Sequence, residues 1–264
     1  MQIAIVDAFT TEPFHGNPAA TVSLPVFPGE DRMQAIAREM NLSETAFAVP
    51  LATNHFHLRW FTPTTEVPLC GHATLAMAHY LRVTGDIDPT CPLRFHTQSG
   101  ELVVRYDGDD IVMDFPTSTP HQDGQDALIA VIIGNRPHRY LGSVPMNATV
   151  VLETESEIAN FIPDLARIAQ VKAACLVITA PADAGRDYDF VARVFGPQSG
   201  IPEDPVTGSA YCTLAPYWAQ RLGKLTLRAR QLSARGGDLG VTHAGDRVLL
   251  RGRALITLHG NIVT

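Results

Sequence analysis

The chain has 264 residues, 45% hydrophobic and 18% charged, with a formal net charge of −7, a composition suited to a globular protein that buries a full core. Its pI is near 5.8 and Lys and Arg form no cluster, which excludes nucleic acid and anionic membrane surfaces as expected partners. No apolar run reaches the roughly 18–20 residues of a membrane span, MQIAIVDAFT lacks the features of a signal peptide, and Cys70, Cys91, Cys175 and Cys212 form no C-x-x-C pair, so the expected setting is a reducing cytoplasm without disulfides or structural zinc.

In chain order, DRMQAIAREM at 31–40 reads as a helix, and TAFAVP at 45–50 as an apolar strand. Glu44 falls between them, in MNLSETAFAVP. The N-x-x-E spacing there is also a capping-box pattern, which would make Glu44 a structural residue. FHLRWFT at 56–62 alternates as a strand does. EVPLCGHA follows at 66–73, and then ATLAMAHYL, too rich in Ala and Leu for a surface helix. It reads as a buried central helix that starts near Gly71. RFHTQSGELVVRYDGDDIVMDF reads as hairpins, and PTSTPHQDGQD at 116–126 is a polar, turn-rich linker.

The second half repeats the first. EDPVTGSA at 203–210 keeps the frame E-x-P-x-x-G-x-A of EVPLCGHA but puts Asp204 for Val67, Thr207 for Cys70 and Ser209 for His72. At the same offset SGELVV (99–104) matches GGDLGV (236–241), and DGDDIVM (107–113) matches AGDRVLL (244–250). RWFTP at 59–63 matches RVFGP at 193–197, with three extra residues in the second copy. A looser match of QVKAACLVIT places Ala173 opposite Glu44. AYCTLAPYWAQRL becomes the second buried helix, in which Pro216 should produce a kink or an irregularity. The spacing is far longer than a solenoid repeat, so the chain reads as a duplicated domain, with halves at 1–118 and 119–264. The fold class is α+β: two pseudo-symmetric halves, each a bent mixed or antiparallel sheet wrapped around a central helix. The last stretch, ALITLHGNIVT, is a strand placed to cross back to the first half.

Two such halves would enclose a cleft, the usual place for a small ligand. Each motif helix starts with free N–H groups and partial positive charge, and together they would suit a carboxylate. His72 and Ser209 fall in the first turns, where each can reach a ligand, although a serine there can equally cap its helix. Asp204, beside a proline where the first copy has Val67, is either a site residue or a solvated turn aspartate. Cys70, near a helix N-terminus, is a candidate acid–base group. A C-x-H pair with no further ligand at suitable spacing does not make a zinc site, and catalytic Cys–His pairs usually come from separate parts of a chain. No metal and no nucleotide or flavin motif is read here.

DAFTTEPFHGNPAA, NLSETAF, RWFTPTTEVPLCGHATLA, SGELVV and GIPEDPVTGSA, in order over nearly the whole chain, resemble the PhzF-like family of phenazine-biosynthesis isomerases. The resemblance implies the diaminopimelate-epimerase fold, a homodimer and no cofactor. It implies Glu44 as the group that moves a proton, His72, Asp204 and Ser209 as polar site residues, and Gly71 and Gly208 as the glycines that begin the two helices. In the wider fold, racemases use two facing cysteines; Thr207 opposite Cys70 breaks that pattern, since a hydroxyl is too weakly acidic. The expected activity is a cofactor-independent isomerase that moves a proton within a small carboxylate-bearing substrate. The alternatives are a thiol-based amino-acid racemase or epimerase using Cys70, and a small-molecule binding protein without turnover.

Overall fold

The computed structural model of the chain describes residues 1–263. It divides into two compact units: Met1–Phe115 with the stretch from Leu249 onward, and Pro116–Val248. The boundary at 115/116 lies close to the expected division at 118/119, and the last strand, expected to cross back from the second half, lies in the first unit.

The first unit contains β1 (Gln2–Ala8), β2 (Asn17–Ser23), α1 (Glu30–Met40), β3 (Glu44–Ala52), β4 (His55–Phe61), β5 (Glu66–Val67), α2 (Gly71–Thr84), β6 (Leu93–Thr97), β7 (Gly100–Asp107) and β8 (Asp110–Pro116). The second contains α3 (Asp126–Ile133), β9 (Arg139–Ser143), β10 (Asn147–Val151), α4 (Glu155–Ala159), α5 (Leu165–Ile168), β11 (Cys175–Pro181), β12 (Phe190–Gly196), β13 (Ile201–Asp204), α6 (Gly208–Leu222), β14 (Thr226–Gln231) and β15 (Gly237–Ala244), and β16 (Arg247–Gly252) begins in the second unit and runs on into the first. β17 (Ala254–Asn261) pairs antiparallel with β1, from Gln2↔Asn261 to Ala8↔Ala254.

The strand pairings of the two units run in the same order. β2 and β3 are parallel, as are β10 and β11, each joined through helix. β3–β4 and β11–β12 are antiparallel. β4 pairs antiparallel with β5 and parallel with β6; β12 does the same with β13 and β14. This is the duplicated α+β architecture that the repeat pointed to.

Each unit is built around its long apolar helix. In α2 the buried residues run from His72 to Leu81 with only His79 outside the set, and in α6 they include Gly208, Ala210 to Ala215, Trp218 and Ala219. A helix this apolar is stable only inside a core. Both end on a left-handed glycine, Gly85 and Gly223, which accepts the positive φ of a C-terminal cap at little cost. α1 instead buries one stripe, Met33, Ile36 and Ala37, against Ile3, Val22, Phe47 and Phe61. Close approach demands a glycine at Gly252: a Cβ there would lie 2.4 Å from Phe9 Cδ1 and 2.9 Å from Leu75 Cδ1.

One local expectation changes. Asn41 does not begin a helix; in left-handed conformation (φ 50°) it closes α1, its N–H bonding Ala37 O. Glu44 is therefore the first residue of β3, not the third residue of a capped helix. Pro216 lies inside α6, which continues to Leu222. Proline deprives the Cys212 carbonyl of its helical donor, and the backbone N–H of Ser118 bonds that carbonyl instead at 3.0 Å. The polar linker is itself tied down: the Asp123 carboxylate accepts from Tyr140 Oη at 2.8 Å and Ser143 Oγ at 2.6 Å.

Candidate active site

The first unit gathers three chemically capable side chains. Glu44 opens β3, in register with Ala19 of the parallel β2. Cys70 is the extended residue just before α2, and its side chain does not cap the helix. The carbonyl of Cys70 is held by Thr74 Oγ1 at 2.6 Å and by Thr74 N at 3.2 Å. His72 is the second residue of α2. Its Nδ1 lies 3.5 Å from Cys70 Sγ, and its Nε2 lies 3.2 Å from Glu44 Oε2. The Glu44 side chain is 13% exposed and that of His72 only 6%. Burial pushes His72 down to about 3, so the ring is neutral at physiological pH. Although only two residues apart, Cys70 and His72 face one another.

These ligand-capable atoms of Glu44, Cys70 and His72 lie within 4.8 Å of one another. The imidazole stands between the other two, one nitrogen towards each. A metal would take a single ring nitrogen and hold every ligand at about 2.0–2.3 Å. The two short contacts use different ring nitrogens, of which a metal could take only one.

The second unit assembles the other motif. Asp204 ends β13, and its Oδ2 accepts a 2.5 Å hydrogen bond from Thr207 Oγ1. Thr207 precedes α6 in extended conformation and, like Cys70, makes no side-chain cap. Gly208 and Ser209 are the first two residues of α6, as Gly71 and His72 are of α2. Ser209 is half-buried, does not cap its helix, and its carbonyl accepts from Asn147 Nδ2 at 3.3 Å. The Glu44–Cys70–His72 group and the Asp204–Thr207–Ser209 turn are each built within their own unit.

A family model described as phenazine biosynthesis-like protein matches residues 6–260. The chain belongs to the phenazine biosynthesis-like family. An uncharacterized isomerase of Pseudomonas aeruginosa is 44% identical over 97% of this chain and 96% of its own length. A phenazine biosynthesis-like domain-containing protein of Homo sapiens is 41% identical over 99% of both. Among solved structures, a PhzF-family phenazine biosynthesis protein of Enterococcus faecalis superposes with a TM-score of 0.90 at 37% identity, over 100% of this chain and 99% of that one. A hydroxyproline epimerase of Agrobacterium vitis shares the fold at TM-score 0.56 and 11% identity, over 98% and 91% of the chains.

Within this family member, several contacts escaped sequence reasoning. Gln231, fully buried at the end of β14, accepts from Thr207 N at 3.0 Å and donates to Asp204 O at 2.7 Å, fixing the turn that carries Asp204. Its only sequence signal is a polar letter on the inward phase of a strand. Strand register also moves one assignment. Thr45 pairs with Phe61 and Leu176 with Phe195, where Phe61 and Phe195 are matched residues of the repeat. The counterpart of Glu44 is therefore Cys175, not Ala173. Of the other cysteines, Cys91 is exposed, and burial within α6 pushes Cys212 up to about 12.

Proposed function

We propose that this protein is a cofactor-independent isomerase in which Glu44 takes a proton from one carbon of a small carboxylate-bearing substrate and returns it to another. The observation that carries the reading is the Glu44 carboxylate set 3.2 Å from a buried, neutral His72 at the start of α2. A general base needs to be ionised, shielded and held in one orientation. Glu44 is mostly shielded, and the nearby neutral imidazole can steady its charge. The description of relatives as isomerases supports the same class.

The binding roles go to the helix starts. The first N–H groups of an α-helix have no partner within it and carry partial positive charge, which suits a carboxylate. Gly71 and His72 at α2, and Gly208 and Ser209 at α6, occupy those positions. Asp204, steadied by Thr207 and Gln231, is suited to an amine or hydroxyl of the substrate. Family resemblance suggests a conjugated amino- or hydroxy-substituted ring acid, whose own π-system holds the transient charge.

A thiol-based racemase finds support in the Cys70–His72 contact, but a ring with its pKa near 3 is a poor partner for generating a thiolate. The test is incubation in D2O with a panel of small amino and hydroxy acids, including a hydroxylated amino-cyclohexadiene acid. Carbon-bound deuterium in the product with the native protein, and none with Glu44→Gln, is the expected result. Undiminished labelling by Glu44→Gln would overturn the assignment. Loss on Cys70→Ala with full activity in Glu44→Gln would favour the thiol reading.

A further inference from the structure

Each nitrogen of His72 faces a different neighbour. Glu44 Oε2 faces Nε2 at 3.2 Å and Cys70 Sγ faces Nδ1 at 3.5 Å. Burial keeps the ring neutral, and a neutral imidazole has one N–H and one lone pair. An ionised carboxylate can only accept, so the ring proton belongs on Nε2. Nδ1 is then an acceptor, and whatever faces it must donate. A thiol can do so; a thiolate cannot.

We propose that Cys70 is a positioning residue whose S–H donates to Nδ1 and locks His72 as the Nε2–H tautomer, aiming a neutral donor at Glu44. This rests on the reading of Glu44 as the ionised proton carrier. The opposite tautomer would set a ring lone pair against a carboxylate oxygen at 3.2 Å in a site closed to water, where unmatched polar groups are costly.

The other unit supports the idea independently. Ser, Thr, Asp and Asn are the usual side chains before a helix because their oxygens cap it. Neither Cys70 nor Thr207 caps its helix. Thr207 donates instead to Asp204, as Cys70 reaches His72. In both copies the residue before the helix-start glycine orients a neighbouring candidate site residue. Cys70 is also held in place for this, since its carbonyl accepts two bonds from Thr74. The thiol therefore acts as a donor and stays protonated, unlike a racemase base.

The deciding experiment is 15N NMR of the full chain labelled at histidine, with His72 assigned by its loss in His72→Gln. The expected native spectrum has an N–H type resonance for Nε2 and a hydrogen-bonded, unprotonated resonance for Nδ1. Cys70→Ala should move the Nδ1 resonance to that of a free lone pair and lower kcat about threefold to tenfold, the effect of one hydrogen bond, with KM little changed. Cys70→Ser should restore much of both. In Glu44→Gln, whose amide can accept or donate, Cys70 alone should hold the Nε2–H form, and adding Cys70→Ala should give a mixture of tautomers. A proton on Nδ1 in the native protein, or an Nδ1 resonance unmoved by Cys70→Ala, would overturn the proposal. If the variants do not fold, the native spectrum still decides. No substrate enters these spectra: full activity in Glu44→Gln would defeat the proposed proton transfer alone, and a wrong tautomer would defeat the role of Cys70 alone.

Discussion

In the first unit, Arg59 of β4 holds Glu66 through two hydrogen bonds, both of 2.7 Å. In the second, Arg193 of β12 holds Glu203 at 2.7 and 3.0 Å. Ser99 Oγ donates to Pro68 O at 2.8 Å, and Ser233 Oγ donates to Pro205 O at the same distance. The glutamate and proline of the repeated frame are thus matched by a clamp that ties the turn to its sheet, and the glycine of each copy starts a buried helix. The letters between them diverge. The first copy has Cys70 and His72 beside Glu44; the second has Thr207 and Ser209 beside Asp204, with Cys175 at the position equivalent to Glu44. On the proposed reading, the duplicated scaffold keeps its mechanical residues and divides the chemistry, one copy suited to proton transfer and the other to binding.

This division predicts a graded set of effects. Glu44→Gln should have the largest, a loss of about 10²–10⁴ in kcat with ligand affinity retained; steady-state kinetics with isothermal titration separates the two. Next, if the frame is mechanical in both units, Arg59→Met and Arg193→Met should each destabilise the protein by about 3 kcal/mol, read from urea midpoints, with Arg193→Met the larger because its guanidinium also holds the Ile158 and Phe161 carbonyls. A cost confined to one of them would break the equivalence of the clamps.

The pH dependence of stability sharpens the contrast between His72 and Ser209, because only the first can titrate. His72 sits near 3 when folded and near 6.5 when unfolded. As pH falls, the unfolded chain takes up the proton first. This contribution to stability is complete above about pH 6.5 and is lost progressively towards pH 3, by up to about 1.4 kcal/mol per pH unit. His72→Gln should flatten that part of the curve, whereas Ser209→Ala should leave it unchanged. The smallest effect belongs to binding: Ser209→Ala should weaken a carboxylate ligand about tenfold, the size of one hydrogen bond to a charged group, with kcat nearly unaltered.

Much of this was legible in the chain because it is local or repeated. The frame, the two apolar helices and the duplicated α+β architecture follow from letters near one another in sequence. What escaped depends on contacts between distant letters. Nothing around Gln231 shows that its amide will hold the turn at Asp204. The Arg59–Glu66 and Arg193–Glu203 pairs lie in matched segments, yet only strand pairing shows that they meet. Asn41 could open a helix or close one, and its left-handed conformation decides the matter. Ala173 and Cys175 stand two residues apart on one weak apolar pattern, a shift that leaves the alternation intact, so only the strand register identifies Cys175 as the counterpart of Glu44.

The most direct test of the division compares Glu44→Gln and Ser209→Ala by NMR in D2O with the same panel of carboxylic acids, reading binding from shifts and proton transfer from deuterium at carbon. The account predicts that Glu44→Gln binds as the native protein does without exchanging, while Ser209→Ala binds weakly yet exchanges once saturated. Exchange by Glu44→Gln at the native rate would contradict it.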